Sequence, residues 1–219
     1  MNVFDILGPV MIGPSSSHTA GAARIGRITL ALLGAPAVKA HILLHGSFAK
    51  TYKGHGTDKA LIAGIMGMAT DDPRIRQAPE LAKEQGLAVE IETGDIDGAH
   101  PNTARITLED AGGRSVCLLG SSVGGGNILV TEINGMEVAV TGQQTTLIVL
   151  HRDAPGTIAS VTEVMAEAGA NICNFRLSRQ KRGGEAVMTI EVDGTFGPEI
   201  NERIKTLDNV FSSIMLQPI

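Results

Sequence analysis

Tryptophan is absent, and aromatic residues make up only 3% of the 219 residues. A surface for single-stranded nucleic acid needs rings on which bases stack, so that class of partner is excluded. A formal net charge of −5 argues equally against a phosphate backbone or an anionic membrane surface. No apolar run approaches the ~20 residues of a membrane span. The opening stretch MNVFDILGPVMIGP lacks the basic start and cleavage site of a signal peptide. The expectation is a cytoplasmic protein with no nucleic-acid or membrane partner. Cysteine is scarce too: Cys117 and Cys173 lie far apart in apolar, strand-like segments and are expected to be reduced, buried thiols. Two thiols also fall short of the three or four that usually hold an iron–sulfur cluster. His41 and His45 stand four apart on a strand-like segment, where a zinc site would need further ligands, so no metal site is assigned to this chain.

What remains is an aliphatic chain, 43% hydrophobic and 19% charged with 27 glycines, which is ample for a packed core. Its composition changes near TGQQTT, placing a domain boundary between residues 143 and 144. Beyond it, TLIVLH, NICNFRLSRQ, EAVMTIEVDG and VFSSIMLQP read as strands, while TIASVTEVMAEAG and PEINERIKTLD read as helices. The order is βαββαβ, the split βαβ of ferredoxin-like folds. Before the boundary, SSHTAGAARIGRITLALLG reads as a helix with Ser16 or Ser17 near its N-cap. VKAHILLHG, LAVEIET, TARITLE and RSVCLLG read as strands, GTDKALIAGIMG as a short helix, and NILVTEINGMEVAV as a hairpin turning at Asn134-Gly135. The fold class expected is α/β (α+β): a sheet-and-helix domain, 1–143, followed by a ferredoxin-like domain, 144–219.

Four stretches can carry chemistry. In GPSSSHTAGAARIGR, the residues Ser15, Ser16, Ser17, His18 and Thr19 stand against a helix start, where free N–H groups and the dipole favour an anion. This is either a carboxylate or phosphate cradle with one titratable group, His18, or a well-capped helix with extra solvating serines. In GSFAKTYKGHGTDK, the residues Lys50, Lys53, His55 and Lys59 crowd around glycines, as an anion loop or a solvated turn. HPNTAR is a turn entering a strand, in which Asn102 and Thr103 can cap locally. GSSVGGGN lies between two strands, so it is a bend or bulge and not a dinucleotide or P-loop fingerprint.

FDILGPVMIGPSSSHTAGAARIGR, GSFAKTYKGHGTDKAL, HPNTARI and SSVGGGNI occur here in one order. Together they resemble the beta chain of the iron–sulfur-dependent L-serine dehydratases, over essentially the whole chain. The C-terminal segment is similar to an ACT domain. The resemblance implies a partner alpha chain that holds a 4Fe–4S cluster, L-serine as substrate, and pyruvate and ammonia as products without pyridoxal phosphate. It also implies that Ser15, Ser16, Ser17 and Thr19 bind the substrate carboxylate, with His18 as hydrogen-bond partner or proton-transfer group. Lys50, Lys53, His55, Asn102 and Arg105 are candidate anion or effector residues. Asp153, Pro155, Gly156 and Asn171 are candidate effector residues of the ACT-like segment, which by analogy also implies homodimerisation. The N-terminal segment is similar, in addition, to the allosteric substrate-binding domain of some phosphoglycerate dehydrogenases. That likeness implies a second role, a serine- or anion-sensing module without direct chemistry.

Overall fold

The computed structural model describes residues 15–217, so the FDILGPVMIGP part of the first motif and the stretch searched for a signal peptide lie outside the described residues. The chain divides into two compact units, 1–131 and 132–219.

In the first unit, apolar residues alternate along β1 (Ala37–Leu44), with Ala40, Ile42 and Leu44 buried. Period-two alternation of this kind makes a strand with one covered face. The chain then forms α2 (Gly46–His55) and α3 (Thr57–Ile65), following α1 (Ala22–Leu33). A 3-10 turn at Pro73–Gln77 and a short α4 (Ala78–Glu84), neither expected from the sequence, lead into β2 (Ala88–Thr93). Strand β2 runs parallel to β1, while β3 (Thr103–Asp110) pairs antiparallel with the other side of β1, and β4 (Ser115–Gly124) pairs antiparallel with β3. Strand β5 (Asn127–Ile133) follows β4 in the sheet order β2-β1-β3-β4-β5. GSSVGGGN thus runs from the end of β4 into the start of β5, with Gly125 and Gly126 as the turn, and Gly124, Gly125 and Gly126 all have positive φ. Ala104, Ile106, Leu108, Val116 and Leu118 share the covered face, and α1 packs on β3 and β4.

Helix α1 keeps only a narrow solvent face at Arg27 and Ala31, with Ala22, Ala23 and Ile25 fully inaccessible, because α3 packs against it. The contact is backbone to backbone. A Cβ on Gly64 would lie 2.1 Å from the Ala23 carbonyl oxygen, and one on Gly26 would lie 2.5 Å from that of Leu61. The alanines and glycines after the Ser-His-Thr run therefore serve helix–helix approach.

The second unit begins within β5, whose turn at Asn134 (φ 51) and Gly135 (φ 75) opens β6 (Met136–Val140). This division falls earlier than the change in composition because β6 packs on the strands that follow: Ser178 Oγ donates to the Glu137 carbonyl at 2.6 Å and the Gln180 amide to that of Asn134 at 2.8 Å. Strand β7 (Thr145–Arg152), α5 (Thr157–Glu167), β8 (Ile172–Arg179), β9 (Glu185–Val192), α6 (Pro198–Lys205) and β10 (Val210–Leu216) realise the expected βαββαβ order. Their sheet order is β10-β7-β9-β8. The core joins Leu147 and Val149 of β7 and Met188 and Ile190 of β9 to Val161, Met165, Ile200 and Ile204 of the helices.

The thiols depart from expectation. Cys117 is half-buried and Cys173 is exposed, because β8 is an edge strand on which Ile172, Phe175 and Leu177 are exposed as well. Among the described residues, no helix is long and apolar enough to cross a membrane.

Candidate functional site

The first helical turn starts at Ser17 with Ser16 at the N-cap position, as expected. The Thr19 N–H donates to the Ser15 carbonyl at 2.9 Å and the Gly21 N–H to that of Ser16 at 3.0 Å, closing a π-turn over Ser17–Gly21. Ser16 already has helical dihedrals, and no side chain of Ser16 caps the turn. Ser15 does so instead, its Oγ accepting the His18 N–H at 3.4 Å, the residue-plus-three spacing of an N-cap. A π-turn adds one residue to the helical ladder and is often found at functional sites.

His18, 8% exposed, is the centre of the site. Its Nδ1 lies 3.2 Å from Ser15 Oγ, and its Nε2 lies 3.1 Å from Thr51 Oγ1 and 3.5 Å from Ser47 Oγ. The Phe48 ring meets it edge-on at 5.2 Å and the His55 ring at 4.7 Å. Burial, and then the proximity of His55, hold the His18 imidazole below the ordinary histidine value of 6.5, so it is neutral at pH 7. Phe48 is fully buried, whereas His55 is exposed. The site thus has a dry floor and a second imidazole at its mouth.

The residues touching His18 come from a segment that reads from sequence as a glycine-rich loop or turn. GSFAKTYKGH is instead helix α2, and only Gly56, at φ 71, breaks it from α3. Burial of Phe48 holds this helix to the core. Ser47, Thr51 and His55 recur every four residues, so they line one face. Lys50 and Lys53 lie off that face and are exposed, Lys53 over the Tyr52 ring at 5.7 Å. The anion loop of Lys50, Lys53 and His55 does not form; only His55 joins His18.

HPNTAR anchors this helix. The Ser47 N–H donates to the Pro101 carbonyl at 2.7 Å and the His45 N–H to that of Thr103 at 3.0 Å. A Cβ on Gly46 would lie 2.6 Å from the Pro101 oxygen. Asn102 ties this turn to β4, its carbonyl accepting the Ser122 N–H at 2.9 Å and its Nδ2 donating to the Ser122 carbonyl at 3.4 Å. Arg105 sits between the fully buried Ala104 and Ile106 on β3, so the pleat turns it to the opposite face of the sheet. The Arg105 Nε is buried there without a hydrogen-bond partner among the described residues.

Among the described residues of the first unit, three buried hydroxyls have no hydrogen-bond partner: Thr19 Oγ1 in the π-turn, Thr57 Oγ1 at the start of α3, and Ser122 Oγ on β4. The π-turn touches both α3 and β4, and a Cβ on Gly21 would lie 2.0 Å from Ser122 Oγ. Unsatisfied buried donors call for a partner, and these stand around the Ser-His-Thr run. Sequence reading missed Ser47, Phe48, Thr51, Thr57 and Ser122. The four-residue spacing of Ser47, Thr51 and His55 carries that signal once the segment is recognised as helical.

In the second unit, Asp153 Oδ2 accepts the Gly183 N–H at 3.0 Å and Arg179 Nη1 at 2.8 Å, which hold its carboxyl below the usual range. Asn171 donates instead to Asp193 at 2.6 Å. Pro155 and Gly156, the latter at φ 89, precede α5. Asp153 and Asn171 thus have separate partners.

The donor set does not fit an iron–sulfur cluster. Cys117 is on β4 and Cys173 on β8, in different units, and among the described residues no three His, Cys, Asp or Glu are grouped to hold a metal ion.

The family model "Serine dehydratase beta chain" matches residues 2–97, and "AHAS small subunit-like ACT domain" matches residues 147–212. The chain is 46% identical to "Probable L-serine dehydratase, beta chain" of Bacillus subtilis (strain 168), over 95% of this chain and 94% of that one. It is 36% identical to "L-serine dehydratase, beta chain" of Peptoniphilus asaccharolyticus, over 88% and 87%. A D-3-phosphoglycerate dehydrogenase of Methanocaldococcus jannaschii is 26% identical over 85% of this chain and 35% of its own length. The chain therefore belongs to the L-serine dehydratase beta-chain family.

Proposed function

We propose that this chain is the subunit of an L-serine ammonia-lyase that binds and orients L-serine for conversion to pyruvate and ammonia, in the cytoplasm. Its own two cysteines cannot assemble a 4Fe–4S cluster, so a partner alpha chain supplies that group, whose chemistry would be Lewis-acid activation of the substrate hydroxyl. The observation that carries this reading is the neutral, buried imidazole of His18 between hydroxyls, on a helix start with unsatisfied donors around it. Ser15, Ser16, Ser17 and Thr19, joined by Thr57 at the start of α3, hold the substrate carboxylate. A neutral imidazole accepts a proton, and the exposed His55 ring stands edge-on beside it at 4.7 Å.

The test is pyruvate release from L-serine under anaerobic conditions, comparing this chain, the alpha chain, and the two together with reconstituted iron. Activity confined to the mixture is expected. Equal activity of the alpha chain alone would remove the catalytic role.

A second reading, a serine- or anion-sensing module, draws on the match to a dehydrogenase of another activity that still spans 85% of this chain. It requires serine to bind the isolated chain while His18 variants leave turnover of the mixture unchanged.

We also propose that two copies pair through β8, an edge strand whose Ile172, Phe175 and Leu177 are exposed. An unpaired strand edge with apolar side chains is a template for another strand. Sedimentation should give a dimer that Phe175→Lys converts to monomer. A wild-type monomer at micromolar concentration would end this proposal.

A further inference from the structure

The hydrogen bonds around His18 determine which of its nitrogens carries the proton. Thr51 Oγ1 lies 2.8 Å from the Ser47 carbonyl, one turn back in α2, and a carbonyl can only accept. The single hydroxyl proton of Thr51 is therefore committed to Ser47. Toward His18 Nε2, at 3.1 Å, Thr51 Oγ1 offers lone pairs alone, so Nε2 must be the donor. A neutral imidazole has one N–H, which leaves Nδ1 as the acceptor. Ser15 Oγ, 3.2 Å from Nδ1, then donates to it and receives the His18 backbone N–H at 3.4 Å. Every donor in this chain has one acceptor. The opposite tautomer would require Thr51 Oγ1 to turn its proton from the Ser47 carbonyl to Nε2, giving up the 2.8 Å bond, and would leave Ser15 Oγ accepting from both Nδ1 and the His18 backbone N–H.

We infer that Thr51 is a positioning residue: it fixes His18 as the Nε2–H tautomer, so that Ser15 and His18 form one proton relay opening at Ser15 Oγ. This deepens the proposed function and rests on it for the direction of proton flow. In the relay, Ser15 Oγ takes a proton from the substrate as its own proton passes to His18 Nδ1. The resulting imidazolium keeps its Nε2–H on Thr51, and reversal of the two transfers returns the proton. Thr51 touches no reacting atom.

The experiment joins a spectroscopic readout to a kinetic one. In the full chain, with 15N-labelled histidine at neutral pH, His18 should show an unprotonated-type Nδ1 and a protonated-type Nε2. The His18→Asn spectrum assigns its signals among the six histidines. Thr51→Val should lose that pattern, and Thr51→Ser, which keeps the hydroxyl, should restore it. In the assembled enzyme, Thr51→Val should lower kcat about tenfold with KM within about twofold, and Thr51→Ser should stay within about twofold of wild type. A protonated Nδ1 in the wild-type chain would overturn the inference, whatever the variants do. So would a Thr51→Val chain with tautomer and kcat unchanged. If no mixture turns over serine, the proposed function fails while the tautomer remains readable in the chain alone.

Discussion

His18→Asn should lower serine turnover by the assembled enzyme by about 10²–10⁴-fold, the usual contribution of a positioned proton-transfer group. Asparagine retains polarity in the space between Ser15 and Thr51 but cannot take up a proton at neutral pH, so the loss should fall on kcat. Unchanged turnover would take His18 out of the chemistry. The same variant has a signature in stability. Because the folded state holds His18 below its ordinary value of 6.5, the unfolded chain binds protons more readily at this residue. Stability rises with pH wherever the unfolded state binds more protons. The His18 contribution is therefore complete above pH 6.5 and is lost as pH falls from there toward the folded-state value. Thermal unfolding of the wild-type chain should weaken across that acid window, and His18→Asn should remove this part of the slope.

Gly64→Ala should destabilise the first unit by about 2 kcal/mol or more, even though alanine is the better helix former by about 1 kcal/mol. The added Cβ would stand 2.1 Å from the Ala23 carbonyl oxygen. That atom belongs to the backbone of α1, so relief requires the two helices to separate, and their separation would open the floor beneath the π-turn. Gly54→Ala is the control. Gly54 lies in α2 with nothing within 4 Å of its Cβ position, so it should gain about 0.5–1 kcal/mol from reduced freedom of the unfolded chain. Urea unfolding with an unchanged slope would compare them. If the two variants behaved alike, the close approach of α1 and α3 would be wrong.

Much of the fold was legible along the chain, because the elements of the second unit are each specified by local pattern. Val161, Val164 and Met165 keep helical spacing in α5, and the Asn134-Gly135 pair takes the positive φ values that its turn demands. The short helices between β1 and β2 were less legible. GSFAKTYKGH contains three glycines, counting the residue that follows it, and two lysines, so local propensity favours a turn; burial of Phe48 against the core overrides it.

For the candidate site, the sequence by itself determined which chemistry was available. A serine-rich run containing one histidine at a helix start supplies hydroxyl donors and one titratable group, and two cysteines fall short of the thiolates that usually hold an iron–sulfur cluster. Only the tertiary structure decided how these groups act. It left Lys50 and Lys53 exposed on another face of α2, and it brought Ser47 and Thr51, with the already expected His55, against His18 from about thirty residues away. It also depressed the His18 proton affinity and oriented its ring. Those properties depend on desolvation and on hydrogen-bond partners distant in the chain, which exist only once α2 packs beside the π-turn.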